Sequence, residues 1–155
     1  MPRIIAAVVL SAFTACFLWL RKHDEPRRDS LQALQNLGTA VQANPSAILD
    51  DIVLPRTLAS RTHAERTEFL VKVLRGEISE AGIAALRRHG SFGPLTKLFP
   101  NEAESWTKQA GVNPDNCVAF KMERAGVRAE VVLVREGEAY RVVRCNNVKQ
   151  MAGGY

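Results

Sequence analysis

Residues 117–148, CVAFKMERAGVRAEVVLVREGEAYRVVRCNNV, narrow what this chain can fold into more than any other stretch. Apolar and polar side chains alternate with a period of two, the pattern of a strand with one face buried. A hairpin turning at Ala125-Gly126 sets Val118 opposite Leu133, Phe120 opposite Val131 and Met122 opposite Ala129, all on one face. The same register sets Lys121 opposite Glu130 and Glu123 opposite Arg128 on the other face. Opposite charges across a pair contribute roughly 0.2–1 kcal/mol each. A slip by one residue loses both pairs and scrambles the apolar face. Gly126 supplies the positive φ that a tight turn needs.

A second hairpin turning at Glu136-Gly137 places Arg135 opposite Glu138, Leu133 opposite Tyr140 and Val131 opposite Val142. Tyr140 and Val142 then join the buried face. Ala119, Val132 and Val143 make the outer face partly apolar, and a protein partner or a second copy of the chain is expected to cover it.

Residues 4–20, IIAAVVLSAFTACFLWL, carry no charge. As a helix this run is about 25 Å long, enough for a thin bilayer. Trp19 stands where an interfacial aromatic belongs, and Arg21 and Lys22 stop the run. The expectation is an uncleaved single-pass transmembrane helix with the lipid bilayer as its partner. A cleaved signal peptide is the weaker reading, because no A-x-A site follows. A lipoprotein signal ending at Cys16 is a third reading, with Phe13 departing from the usual Leu. Arg21, Lys22, Arg27 and Arg28 after the span argue for a cytoplasmic domain. The short segment before the span argues for export, and the reading leans to the extracytoplasmic side.

Behind this anchor (1–20), residues 21–29 read as a charged, solvated tether containing Pro26. An α+β globular domain follows over 30–150, then a flexible tail over 151–155. Asp29 or Ser30 is expected to cap a helix to about Ala43 with Leu31, Leu34, Leu37 and Val41 as its apolar stripe. Asn44-Pro45 opens a short turn of helix. Thr62 and Glu65 form a capping box ahead of a helix burying Phe69, Leu70, Val73 and Leu74. Ser79 caps a helix that ends at Gly90. Leu95, Leu98 and Phe99 belong to a short turn of helix, and Asn101 and Glu104 read as a second capping pair for a helix carrying Trp106.

No residue pattern in the chain specifies an activity. In the register above, Cys117 faces Val134 and Cys145 faces Arg128. These partners are about 20 Å apart along the middle strand, too far for a disulfide. His23, His63 and His89 have no companions at metal-ligand spacing. Asp50 and Asp51 are adjacent, so on a helix they diverge. Phosphate-loop and nucleophile-elbow patterns are absent, and no cofactor is implied. With 155 residues and a net charge of +5, the basic excess is small, and Glu123 and Glu130 interrupt Arg124, Arg128, Arg141 and Arg144. Nucleic acid is therefore disfavoured as a partner. The most polar strand end is Arg144-Cys145-Asn146-Asn147. With His89 it supplies the candidate binding residues. Arg144 has the parity of the buried face and calls for a carboxylate there, with Glu102 or Glu104 in view.

Helices ahead of an antiparallel meander behind an N-terminal anchor resemble membrane-attached NTF2-like (cystatin-like) α+β domains. The ending EGEAYRVV is similar to their last hairpin, with Tyr140 and Val142 inward, and HGSFGPLTKLF is similar to the passage leading into their sheet. The resemblance covers about residues 31–148. It implies several short helices packed on a meander of three or four strands around a cone-shaped pocket. A fourth strand has to come from residues 51–54 or from the segment after Gly90. The functional expectation is a membrane-anchored, non-enzymatic binding or assembly module. The alternative is a small-molecule enzyme using His89, Cys145 and Arg144 in a pocket between sheet and helices.

Overall fold

The first hairpin forms as its charges and alternation require. Strand β2 (Cys117–Arg124) pairs antiparallel with β3 (Val127–Glu136), and Val118↔Leu133, Phe120↔Val131, Met122↔Ala129, Lys121↔Glu130 and Glu123↔Arg128 are all partners. Both turn residues are left-handed, Ala125 at φ 49° and Gly126 at φ 76°, the signature of a type I′ turn. The computed structural model describes residues 2–43, 62–68 and 77–153, with side chains from residue 14 onward except those of residues 21, 23, 41–43 and 109. Within these the protein is α+β. Helices lie on both faces of a four-stranded antiparallel sheet of order β1-β2-β3-β4.

The fourth strand is β1 (Ser91–Pro94), from the segment after Gly90. The other candidate source, residues 51–54, lies outside the described residues. Strand β4 (Ala139–Asn146) departs from the expected register. The turn is Gly137-Glu138, not Glu136-Gly137, so Glu136 pairs with Ala139, Arg135 with Tyr140 and Leu133 with Val142. The offset is two residues, an even number, so Tyr140 and Val142 keep the inward face. A bulge then intervenes: Leu133 pairs with Val142 but Val132 with Arg144, leaving Val143 without a partner on β3. Beyond it every side chain changes face. Cys145 turns inward opposite Val131 rather than Arg128, and Arg144 turns outward, against the expectation that it shares the buried face.

The inner face is covered by α1 (Pro2–Ala43), α2 (Glu80–His89) and the short 3₁₀ turn Lys149–Ala152. Leu31, Leu34 and Leu37 of α1 and Ile83 and Leu86 of α2 pack on Phe120, Val131, Leu133, Val142 and Cys145. Fully burying each of these aliphatic side chains is worth about 1.5–3 kcal/mol. Helix α2 starts where Ser79 accepts from Gly82 N at 3.1 Å and stops where Gly90 N donates to Leu86 O at 2.9 Å. Thr62 and Glu65 form the reciprocal capping box ahead of the helical residues 63–68. The helix expected to bury residues 69–74, and the segment at residues 44–55, lie outside the described residues.

Helix α1 corrects the tether. Residues 21–29 continue the helix without a break, with Pro26 inside it. A helix-interior proline forfeits one backbone hydrogen bond and costs roughly 3 kcal/mol. Tertiary contacts hold the helix here: Arg27 Nη2 donates to Arg87 O at 2.9 Å and to Gly90 O at 3.1 Å, clamping α1 to the carbonyl end of α2. Among the described residues no helix is long and apolar enough to cross a membrane. Described side chains begin at Thr14, so they cover only the last seven residues of the 4–20 run.

The outer face is not open to a partner chain at Ala119 and Val132. Helices α3 (Leu95–Leu98) and α4 (Ala103–Ala110) close over it, and Leu95, Phe99 and Ala103 bury Cys117, Ala119, Val132 and Val134, with Val143 at the margin. The expected Asn101/Glu104 cap is absent. Glu102 precedes α4 in helical conformation with no side-chain cap, and Gly111 at φ 71° ends the helix as a left-handed cap.

Candidate functional site

The candidate residues near the end of β4 separate onto two faces. Arg144, turned outward by the bulge, meets Glu130, which is 5% exposed. Arg144 Nε and Nη2 each lie 2.8 Å from Glu130 Oε2. On the other side Arg128 Nε donates to Oε1 at 2.8 Å, and Arg128 Nη2 lies 2.6 Å from the same oxygen. Each carboxylate oxygen is thus held by one guanidinium. Glu130 is the carboxylate that Arg144 requires; Glu102 bonds instead to Arg128, at 3.3 Å. The Arg144 guanidinium stacks 4.4 Å from the Trp106 ring centroid, and Arg128 lies 5.5 Å from that of Phe99. Hydrogen bonding to Glu130 raises the Arg128 pKa, and Glu102 adds to it. The cluster ties β3, β4 and α4 together, and its carboxylate is fully engaged by its own chain.

Asn147 ends β4. It sits at φ 58°, its Nδ2 donates to Arg128 O at 2.9 Å, its Oδ1 accepts from Gln150 at 3.1 Å, and its backbone N–H donates to Glu77. Left-handed φ is tolerated by asparagine, and these bonds fix the exit from the sheet. Asn146 pairs with Glu130 across the ladder. Cys145 is buried in the inner core, where desolvation, then the Glu77 charge, push its thiol pKa well above its ordinary value. Cys117 is buried on the outer side, donates from Sγ to Asn113 O at 3.3 Å, and is pushed by burial to about 11. The two thiols are free and lie in separate cores on opposite faces of the sheet. His89 is exposed at the C-terminal end of α2, beside β1, at the sheet edge opposite β4. His89, Cys145 and Arg144 therefore do not converge. Among the described residues no group of three or more His, Cys, Asp or Glu is placed to hold a metal ion.

Among the described residues His89 lines a hollow of about 440 Å³ with Ser91, Lys97, Leu98, Lys121, Met122 and Glu123, and neither Cys145 nor Arg144 reaches it. Another concave surface is a groove between α1 and the β3–β4 hairpin. Its inner half has a volume of about 360 Å³ and is walled by Gln32, Ala33, Asn36 and Leu37 on α1 and by Ala139, Tyr140 and Val142 on β4. Its outer half, about 590 Å³, continues along α1 towards the N-terminus past Pro26. Asp29, Glu138 and Tyr140 line both halves. Burial raises the Tyr140 phenol pKa, with Arg135 acting against this and Asp29 adding to it. Sequence reasoning placed Tyr140 on the buried face but missed this groove. The α1 wall of its outer half is the segment read as a solvated spacer, whereas that of its inner half belongs to the helix expected as far as Ala43. No family model, no curated protein and no solved structure matches this chain.

Proposed function

We propose that the protein is a single-pass, membrane-anchored, non-enzymatic binding or assembly module. Residues 4–20 of α1 lie in the bilayer, and the groove between α1 and the β3–β4 hairpin is the recognition surface. One observation carries the anchor. Phe17, Leu18, Trp19 and Leu20 are consecutive and between 50% and 67% exposed, on a helical segment that the domain leaves uncovered. Four large apolar side chains in a row facing outward need an apolar solvent or a partner. The uncharged run in front of them and the basic residues behind them favour lipid. Helices ahead of a three-strand antiparallel meander, with β1 added at its edge, support the NTF2-like reading of the domain.

The test is extraction of the full chain from cell membranes. Resistance to alkaline carbonate is expected, and Leu10→Arg with Leu18→Arg should release the protein. Release of the unaltered chain would overturn the anchor. Topology is read by an impermeant thiol reagent at Asp115→Cys, an exposed position, in a chain whose three native cysteines are serine. Labelling in intact cells is expected from the lean to export; protection would place the domain in the cytoplasm.

A further inference from the structure

The outer half of the groove is polar, with both signs of charge on each of its walls. Lys22, Arg28 and Arg135 bring three cations to it, and Glu25, Asp29 and Glu138 bring three carboxylates. Arg28 and Asp29 pair at 3.2 Å, and Arg135 Nε donates to Gly137 O at 3.1 Å. Among the described residues Lys22, Glu25 and Glu138 enter no ion pair. A hollow of about 590 Å³ lined by charges of both signs suits a small zwitterion.

Its height is set by α1. The helix is unbroken from the apolar run into the domain, and Arg27 clamps it to α2. At about 1.5 Å per residue, Lys22 stands ~3 Å and Arg28 ~12 Å beyond Leu20 along the axis. The polar layer of one leaflet is about 5–8 Å deep. With residues 4–20 in the hydrocarbon, the end of the cavity at Lys22 and Glu25 lies in that layer, and Arg28 stands a few ångströms above it.

We propose that this cavity binds the phosphoethanolamine headgroup of a membrane phospholipid; the inference rests on the anchor reading. The phosphate meets Lys22, Arg28 and Arg135, and the primary ammonium meets Glu25 and Glu138. Ethanolamine is favoured over choline because its ammonium donates three hydrogen bonds to carboxylates. A quaternary ammonium donates none and relies on an aromatic cage, and among the described residues Tyr140 is the one aromatic ring in the lining.

The test uses the full chain in lipid nanodiscs of phosphatidylcholine alone, or with phosphatidylethanolamine or phosphatidylglycerol added. Co-elution with the discs tests the anchor. Thermal unfolding then reads the headgroup: the ethanolamine lipid should raise the midpoint by about 5 °C over the other two compositions. Lys22→Gln and Glu138→Gln, both at exposed positions, should each abolish that rise. Equal midpoints in all three compositions would overturn the inference while leaving the anchor standing. So would a rise with the glycerol lipid alone, or an ethanolamine effect surviving in both variants. Failure to co-elute would remove the anchor and this inference together.

Discussion

Arg144 and Arg128 approach Glu130 from opposite sides, each placing two nitrogens on one carboxylate oxygen within 2.8 Å. A nearly buried carboxylate is tolerated because both oxygens are satisfied by charge-assisted bonds. Glu130→Ala should destabilise by about 1.5–3 kcal/mol, because Arg144 loses its carboxylate beside Trp106 and Arg128 keeps only Glu102. In a double-mutant cycle, Arg144→Ala and Glu130→Ala should couple by at least about 1 kcal/mol. Additive losses in denaturant unfolding would show that the clamp holds nothing.

The Ala125-Gly126 turn carries a correctable defect. Ala125 holds a left-handed φ of 49°, which costs an alanine roughly 1 kcal/mol, whereas asparagine adopts it readily. Ala125→Asn should raise stability by about 0.5–1 kcal/mol with no change in the denaturant slope. An unchanged or lowered midpoint would contradict the left-handed assignment.

Ser30 is fully buried on α1, and among the described residues its Oγ has no hydrogen-bond partner. Burying an unsatisfied hydroxyl is unfavourable, and alanine is the better helix former. Ser30→Ala should stabilise by about 0.5–1.5 kcal/mol, measured by chemical denaturation. A loss would mean that the hydroxyl has a partner in solution.

The buried thiols make stability pH-dependent on the alkaline side. Both pKa values are raised by folding, Cys117 from 9.0 to about 11 and Cys145 further. A group whose pKa rises on folding contributes stability that is complete below its unfolded value and is lost as pH climbs through the folded value. Unfolding free energy should therefore fall between about pH 9 and pH 11. Cys117→Ala should flatten part of that fall. At pH 8 an aromatic disulfide reagent should leave Cys117 and Cys145 unmodified until denaturant is added.

The first hairpin was legible in the sequence because two independent patterns, apolar alternation and facing opposite charges, demanded one register. In the second hairpin the second pattern was one pair, Arg135 opposite Glu138, and the structure pairs Arg135 with Tyr140 instead. In Arg135-Glu136-Gly137-Glu138 the glycine fits a turn in either of two frames one residue apart, which shifts the pairing by two, and both keep Tyr140 inward. The bulge at Val143 left no local mark, since two adjacent valines suit a strand face up or down. Its effect on Arg144 and Cys145 therefore became visible only in three dimensions. The tether misled for a related reason. Pro26 and a run of charges signal a break locally, whereas the bond from Arg27 to the end of α2 is made with residues sixty positions away. The amphipathic helices α3 and α4 were readable as helices, but no local feature says which sheet face they cover.

The irregularity in β4 also limits self-association. Both sheet edges offer unpaired backbone groups that a strand of another molecule can copy. One edge is β1, four residues long and closed by Pro94. The other is β4, interrupted at Val143 between Arg141 and Arg144. Neither presents a long, flat, uninterrupted template. Strand-by-strand growth into fibrils is thus blocked at both margins of the sheet.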